Sequence, residues 1–232
     1  MNNNLKELWE KEYLDTKGIP TSRQDTPSHA LPILLDFLNE HDIPLKGNVL
    51  DLGCGKGRNS LELLRNFQCA VYGIDISPTA LQAFQSTADQ KGFASRTHLV
   101  EGNLADPLPY PNEFFDFALD IASSFRLAED KDRFGYVQEV YRVLKPGGFL
   151  LLYVIASDDE YYKKILASSS RREEGIFLDP KEKFPGRLYS KEELSTLWEE
   201  KFSIKSMQEL EFEGEIHSQK CIRHMLLAIL QK

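Results

Sequence analysis

Apolar residues follow two rhythms along this chain. Short unbroken apolar runs, "NVLDLG", "AVYGID", "THLVEGN", "FFDFALDI" and "GGFLLLYVI", have the pattern of strands buried on both faces. Between them apolar residues return every three or four positions, which predicts helices. Leu31, Leu34, Leu35 and Leu38 mark one helix ahead of the first strand. Leu61 and Leu64 mark a second between Gly57 and Phe67, and Ala80, Leu81, Phe84 and Ala88 a third. The third has Ser77 as N-cap and Pro78 at its first position. Phe134, Val137, Val140, Tyr141 and Leu144 mark a fourth before the fifth run. The chain opens on an amphipathic helix carrying Leu5, Leu8, Trp9 and Tyr13, followed by the loop "GIPTSRQDTPSH".

Strands alternating with helices predict a doubly wound α/β domain: a parallel sheet, right-handed crossovers and helices on both faces. Past Ile155 the rhythm breaks. Residues 156–190 are polar, charged and weakly periodic, which predicts an insertion near the functional site. "SKEELSTLWEE" then opens with a capping box, Ser190 with Glu193. "FSIKSMQELEF" and "RHMLLAILQK" follow without an intervening helix, so they are expected as antiparallel neighbours at the sheet edge. The expectation is therefore a seven-stranded sheet, mostly parallel with an antiparallel C-terminal strand. One domain is expected over 1–232, with 1–27 as an N-terminal helix able to act as a lid.

Charge and cysteines narrow the picture. The 232 residues carry a formal charge of −8 without a long basic run, so composition gives no electrostatic grip on nucleic acid. Cys54, Cys69 and Cys221 lack CxxC spacing, which argues against a disulfide framework and against a cysteine zinc site; no metal is expected. The first residues hold no signal-like apolar core, and no later run reaches membrane-spanning length. A soluble cytoplasmic protein, a monomer or weak dimer without a membrane partner, is the expectation.

The chemistry concentrates in "VLDLGCGKGRNS". Gly53, Gly55 and Gly57 follow the first strand, where open α/β sheets bind ligands. Asp75 ends the second strand 18 residues after Gly57, close to the spacing of about 20 at which an acid meets ribose hydroxyls. The spacing is GxGxG: the dinucleotide fingerprint places its third glycine where Arg58 stands. Asp51 at the strand end repels phosphates and favours a ligand bearing an ammonium or sulfonium. Asp75 as a plain strand terminator, Asp51 as a turn cap, Asn103 as a turn residue and Cys54 as a small buried residue are the competing structural readings.

Together "VLDLGCGKGRNS", "GIDIS", "EGN" and "LKPGGFLLL" resemble the class I S-adenosylmethionine-dependent methyltransferases over roughly 49–155. The late "YSKEELSTLWEE" ahead of two terminal strands also resembles the small-molecule branch with the tellurite-resistance and thiopurine methyltransferases. The resemblance implies a Rossmann-like fold with S-adenosyl-L-methionine as cofactor and S-adenosyl-L-homocysteine as product. It implies Asp51, Gly53, Gly55 and Gly57 around the methionine part, Asp75 on the ribose and Ile76 on the adenine. It further implies Asn103 and Leu104 at the adenine edge, and Asp120 and Ile121 beside the reacting methyl. Many members carry Asp where Asn103 stands.

An in-line methyl displacement needs alignment in a dry pocket, and a base only when the acceptor is protonated. The catalytic group is therefore the least legible part. His217, Arg223 and Arg126 are the candidates, with Trp9, Tyr13, Arg23 and His224 as lid or substrate contacts. Arg223 and His224 are adjacent in a strand, so one of the two is expected to enter the pocket. The leading expectation is methyl transfer to a small molecule. The alternatives are a protein methyltransferase and a non-catalytic cofactor-binding sensor or partner subunit. A nicotinamide dehydrogenase is disfavoured by the glycine spacing and by the lack of a Tyr-x-x-x-Lys pair after the fourth strand.

Overall fold

In the computed structural model, which describes residues 2–15 and 24–232 with side chains from Leu5 onward, the apolar runs become strands. These are β1 (Gly47–Leu52), β2 (Cys69–Asp75), β3 (Thr97–Glu101), β4 (Phe115–Ile121) and β5 (Leu144–Ile155). The helices are α1 (Asn2–Leu14), α2 (Ala30–Glu40), α3 (Arg58–Asn66), α4 (Pro78–Gln90) and α5 (Asp130–Val143). The 156–190 stretch folds into α6 (Tyr162–Ala167) and a small hairpin, β6 (Ile176–Leu178) with β7 (Pro185–Arg187). The chain closes with α7 (Lys191–Glu199), β8 (Ser203–Ile216) and β9 (Gln219–Gln231).

The main sheet has seven strands in the order β3-β2-β1-β4-β5-β9-β8. β1 to β5 run parallel, and β9 lies antiparallel between β5 and β8. From β1 the chain moves outward through β2 to β3 and then returns to place β4 on the other flank of β1. That reversal is the switch point where such sheets bind ligands. Burial explains the centre: Val49, Leu50, Leu52, Leu119 and Leu150–Val154 are at most 5% exposed. β8 forms one edge, alternating exposed and half-buried positions with Lys205, Glu209, Glu211, Glu213 and Glu215 along it. Charges on an edge strand oppose pairing with another chain.

Local chemistry sets the helix starts. Ser77 Oγ accepts from the Ala80 N–H at 3.1 Å, and the Ser190/Glu193 box closes on itself. Leu31, Leu34 and Leu38 of α2 and all four expected residues of α4 are buried.

One helix face departs from the expectation. α5 buries Arg133, Tyr136, Val137, Val140 and Val143, while Phe134 is 54% exposed and Leu144 already belongs to β5. Apolar spacing alone cannot see that Tyr136 is pulled inward by a buried carboxylate, Asp120. On α3 the inner face is Asn59, Ser60, Leu63 and Leu64, with Leu61 half-buried, because polar partners wait for Asn59 and Ser60. No described helix is long and apolar enough to cross a membrane.

Candidate active site

The site forms where β1, β2, β3 and β4 end. Its first cavity is lined by Asp51 and the glycine turn after β1, Asp75 and Ile76 after β2, Asn103 and Leu104 after β3, and Ile121 to Ser123 after β4. Gly53 has φ +72°, and a Cβ there would come within 2.4 Å of Ser123 Oγ. The bare backbone thus lets the β1 and β4 turns close together at the switch point. Asp51 Oδ2 accepts from Ser60 Oγ at 2.5 Å, and Asp75 accepts from the Gly55 N–H (2.8 Å) and the Ser77 N–H (2.9 Å). Burial pushes both carboxyls up to about 6. Desolvation outweighs these hydrogen bonds, so both acids face the cavity in need of a compensating partner.

Helix α1 closes this cavity. Leu5, Trp9 and Tyr13 lie four residues apart on one face, and all three line it. The Glu10 carboxylate anchors α1 on the start of α4 by accepting from Ser77 Oγ, from Thr79 Oγ1 (2.6 Å) and from the Thr79 N–H (3.2 Å). A carboxylate at a helix N-terminus is favoured by the orphan N–H groups and the dipole there. Lys6 pairs with Glu101 and fastens the same helix to the end of β3.

A second cavity adjoins the first, and Trp9, Gln24, Arg58, Ala122 and Arg126 border both. Its own wall is largely apolar and aromatic: Phe125, Tyr153, Ile155, Tyr162, Phe212 and Met225. Burial pushes the Tyr153 and Tyr162 phenols up to about 12, so both stay neutral donors at pH 7. Ala122 holds φ +58°, a left-handed conformation in a residue with a Cβ. Such strain concentrates at functional turns.

Two arginines complete this wall, each held by a buried acid. Arg126 donates to Glu182 Oε2 at 3.1 Å and lies 4.5 Å and 5.0 Å from the ring centroids of Phe125 and Phe184. Arg223 donates to Asp159 Oδ2 at 2.7 Å. Glu182 and Asp159 come from the 156–190 stretch, which therefore builds part of the wall.

Several expected residues fall elsewhere. Gly57 lines neither cavity; it caps α3 with φ +80°, and a Cβ there would meet the Phe84 ring at 2.3 Å. Its task is close packing of α3 against α4. Asp120 is fully buried and also outside the linings, pinned by Tyr136 Oη (2.8 Å) and by the Ser123 and Ser124 N–H groups. It shapes the turn after β4 from behind, and the neighbouring Ala122 and Ser123 take the exposed place. His217 borders neither cavity and stands against Glu182. His224 turns away to Asp158 at 3.2 Å, so Arg223 is the member of that pair that enters. Arg23 lies outside the described residues. Cys54 is buried, and burial holds its thiol well above the ordinary range.

Sequence reading missed Lys56, Arg58 and Asn59, which follow the glycine turn and line the first cavity. The position of Lys56 within the glycine turn and of Arg58 and Asn59 at the first turn of α3 was the available signal, since residues at such a turn and helix N-terminus face the ligand.

The family of sequences described as "Methyltransferase domain" matches residues 49–148, which contain all the strand ends lining the first cavity. A solved S-adenosylmethionine-dependent methyltransferase of Methanosarcina mazei superposes with a TM-score of 0.71 at 29% identity, covering 87% of this chain and 97% of its own. Residues 49–148 form a methyltransferase domain of the class I, S-adenosylmethionine-dependent kind. Ajmaline N-methyltransferase of Rauvolfia serpentina is 33% identical over 45% of this chain and 34% of its own length. EEF1A lysine methyltransferase 2 of Homo sapiens is 32% identical over 61% of this chain and 59% of its own. The chain thus aligns with about a third to three fifths of the length of these curated relatives.

Proposed function

We propose that this protein binds S-adenosyl-L-methionine in the first cavity and transfers its methyl group to a small-molecule acceptor held in the second. The observation that carries this reading is the pair of adjoining cavities with contrasting walls. One is glycine-lined with two buried carboxylates; the other is aromatic.

The first cavity fits the cofactor by its donor set. Asp51 supplies a negative charge for an ammonium, and Lys56 and Arg58 supply positive charge for a carboxylate, which together suit a zwitterionic amino-acid moiety. Asp75 suits a ribose diol, and Ile76 and Leu104 offer apolar faces to a base. When bound, S-adenosyl-L-methionine supplies a methyl group on a positively charged sulfur, and S-adenosyl-L-homocysteine remains after transfer.

The chain's own residues then have three tasks. Trp9 excludes water from the junction of the cavities and Tyr13 from the first of them. Phe125, Tyr153, Tyr162 and Met225 orient an apolar or aromatic acceptor, and proximity with alignment supplies most of the rate in such a displacement. His29, at the mouth of the second cavity with its ring 5.1 Å from that of Phe212, is placed to take a proton from an acceptor that arrives protonated.

Because the second cavity is concave and walled by side chains from α1, β5 and the β8–β9 hairpin, a compact acceptor suits it better than a protein segment. Turnover with methyl-labelled cofactor against panels of thiols, phenols, amines, carboxylic acids and chalcogen oxyanions tests the reading. Label appearing in a small acceptor supports it. Label appearing solely in added protein would move the chain to the protein methyltransferases, and binding without turnover on any acceptor would favour a sensor.

A further inference from the structure

One group of side chains takes no part in the chemistry above. Asp179 and Glu182, in the loop between β6 and β7, meet His217 in the β8–β9 turn. Each of the three residues brings one ligand atom within 4.8 Å of the other two, and their open atoms are Asp179 Oδ2, Glu182 Oε1 and His217 Nε2. Asp179 is fully buried, and the side chains of Glu182 and His217 are 3% and 19% exposed.

None of these three atoms has a hydrogen-bond partner, although Glu182 Oε1 and His217 Nε2 are 2.8 Å apart. The two approach closely but out of hydrogen-bond alignment, as atoms do when both aim at a common third point. The remaining oxygens are already engaged. Asp179 Oδ1 accepts from the Lys181 and Glu182 N–H groups, and Glu182 Oε2 accepts from Arg126 at 3.1 Å. Each carboxylate is therefore oriented by one oxygen and offers the other. Leaving a buried acceptor unmatched costs about 1–3 kcal/mol, so two such oxygens beside an unmatched imidazole call for an occupant.

Charge points the same way. The acids acting on Glu182 are Asp179 and Glu12, and the permanent cation is Arg126. The buried Asp179 and Glu182 carboxylates against the one Arg126 guanidinium leave an excess of negative charge that a divalent cation would offset. His217 has φ +50° and Ser218 φ +61°, the two central positions of a tight hairpin turn that ordinarily takes Asn-Gly. The strained turn is what brings the imidazole over the Asp179–Glu182 loop.

We propose that Asp179, Glu182 and His217 form a site for one divalent transition-metal ion, Zn²⁺ by its donor chemistry, that fastens the β6–β7 loop to the β8–β9 turn. One imidazole and two carboxylates suit zinc, with a fourth position for water, and the imidazole selects against Mg²⁺ and Ca²⁺. Bond lengths of about 2.0–2.2 Å hold two ligands of one ion within roughly 4.4 Å, so the observed spread closes with small side-chain rotations. The ion would fix Glu182, hence Arg126, in the wall shared by both cavities; the site is independent of what those cavities bind. It lies outside the cysteine-based reasoning by which no metal was expected.

The test is calorimetric titration of the chelator-treated full chain with Zn²⁺, Mg²⁺ as control, alongside Glu182→Gln and His217→Ala, with circular dichroism confirming that each folds. The expected result is one equivalent of zinc bound by the wild type and none of magnesium. Affinity should drop more than about 100-fold in each variant, since even groups behind the ligands cost roughly 10–100-fold. Should a variant fail to fold, zinc-soaked wild-type crystals replace it, with an anomalous peak expected between the three named atoms. No zinc binding, undiminished binding in both variants, or a peak elsewhere would overturn the proposal.

Discussion

At the scale of single residues, buried acids dominate the site. Asp51 and Asp75 ionise near 6 in the fold, whereas carboxyls in an unfolded chain ionise near about 4. Between those values the fold holds protons that the unfolded chain has released. The stabilisation is complete below about 4 and is lost as pH rises through about 6, at up to roughly 3 kcal/mol per group. Urea denaturation of the ligand-free protein from pH 4 to 7 should show this decline for the wild type and a shallower one for Asp51→Asn. The ligand side has the opposite sign. A bound ammonium or diol favours the ionised acids, so cofactor affinity should weaken as pH falls below about 6.

Asp120 gives a second test. Tyr136→Phe removes one donor from a fully buried carboxylate and should cost about 1.5–3 kcal/mol in urea unfolding. Cofactor affinity should change little, because Asp120 lies behind the cavity wall. Sequence spacing put Asp120 at the strand end but could not show which way it pointed, since that depends on a tyrosine 16 residues away. His217 was singled out as a candidate, but its neighbour Glu182 escaped because it lies in a stretch without periodicity.

At the scale of elements, legibility followed burial. β1, β2, β4, β5 and α4 were readable because both faces, or one whole stripe, are apolar, whereas β3 is an edge strand that buries Thr97 alone. On α5 the reading found Val137 and Val140 but missed Arg133 and Tyr136, polar residues that share the inner face. The small hairpin β6–β7 gave no signal, being three residues a side. Gly57→Ala tests the junction of elements directly. A Cβ at φ +80° and 2.3 Å from the Phe84 ring should destabilise the fold by about 1–3 kcal/mol, read by chemical denaturation. Glu10→Ala should release α1 from the start of α4. Amide exchange in α1 should then speed up while that of β1 and β4 stays slow.

For the whole molecule, the division of labour runs along the chain. Residues 49–148, matched by the family, build the first cavity's strand-end turns, and α1, the 156–190 stretch and the β8–β9 hairpin build the rest. Motif spacing could carry the first part because one ligand dictates it. The second part draws its residues from elements far apart in sequence, so they carry no local spacing, and its aromatic lining became visible in three dimensions alone.

The central claim is that the glycine turn and Asp75 serve S-adenosyl-L-methionine. Calorimetric titration with S-adenosyl-L-methionine, S-adenosyl-L-homocysteine and NADH, on the wild type and Asp75→Ala, tests it most directly. The account predicts saturable one-to-one binding of the first two, lost in the variant, and no heat from NADH. Binding of NADH alone, or cofactor binding untouched by Asp75→Ala, would contradict it.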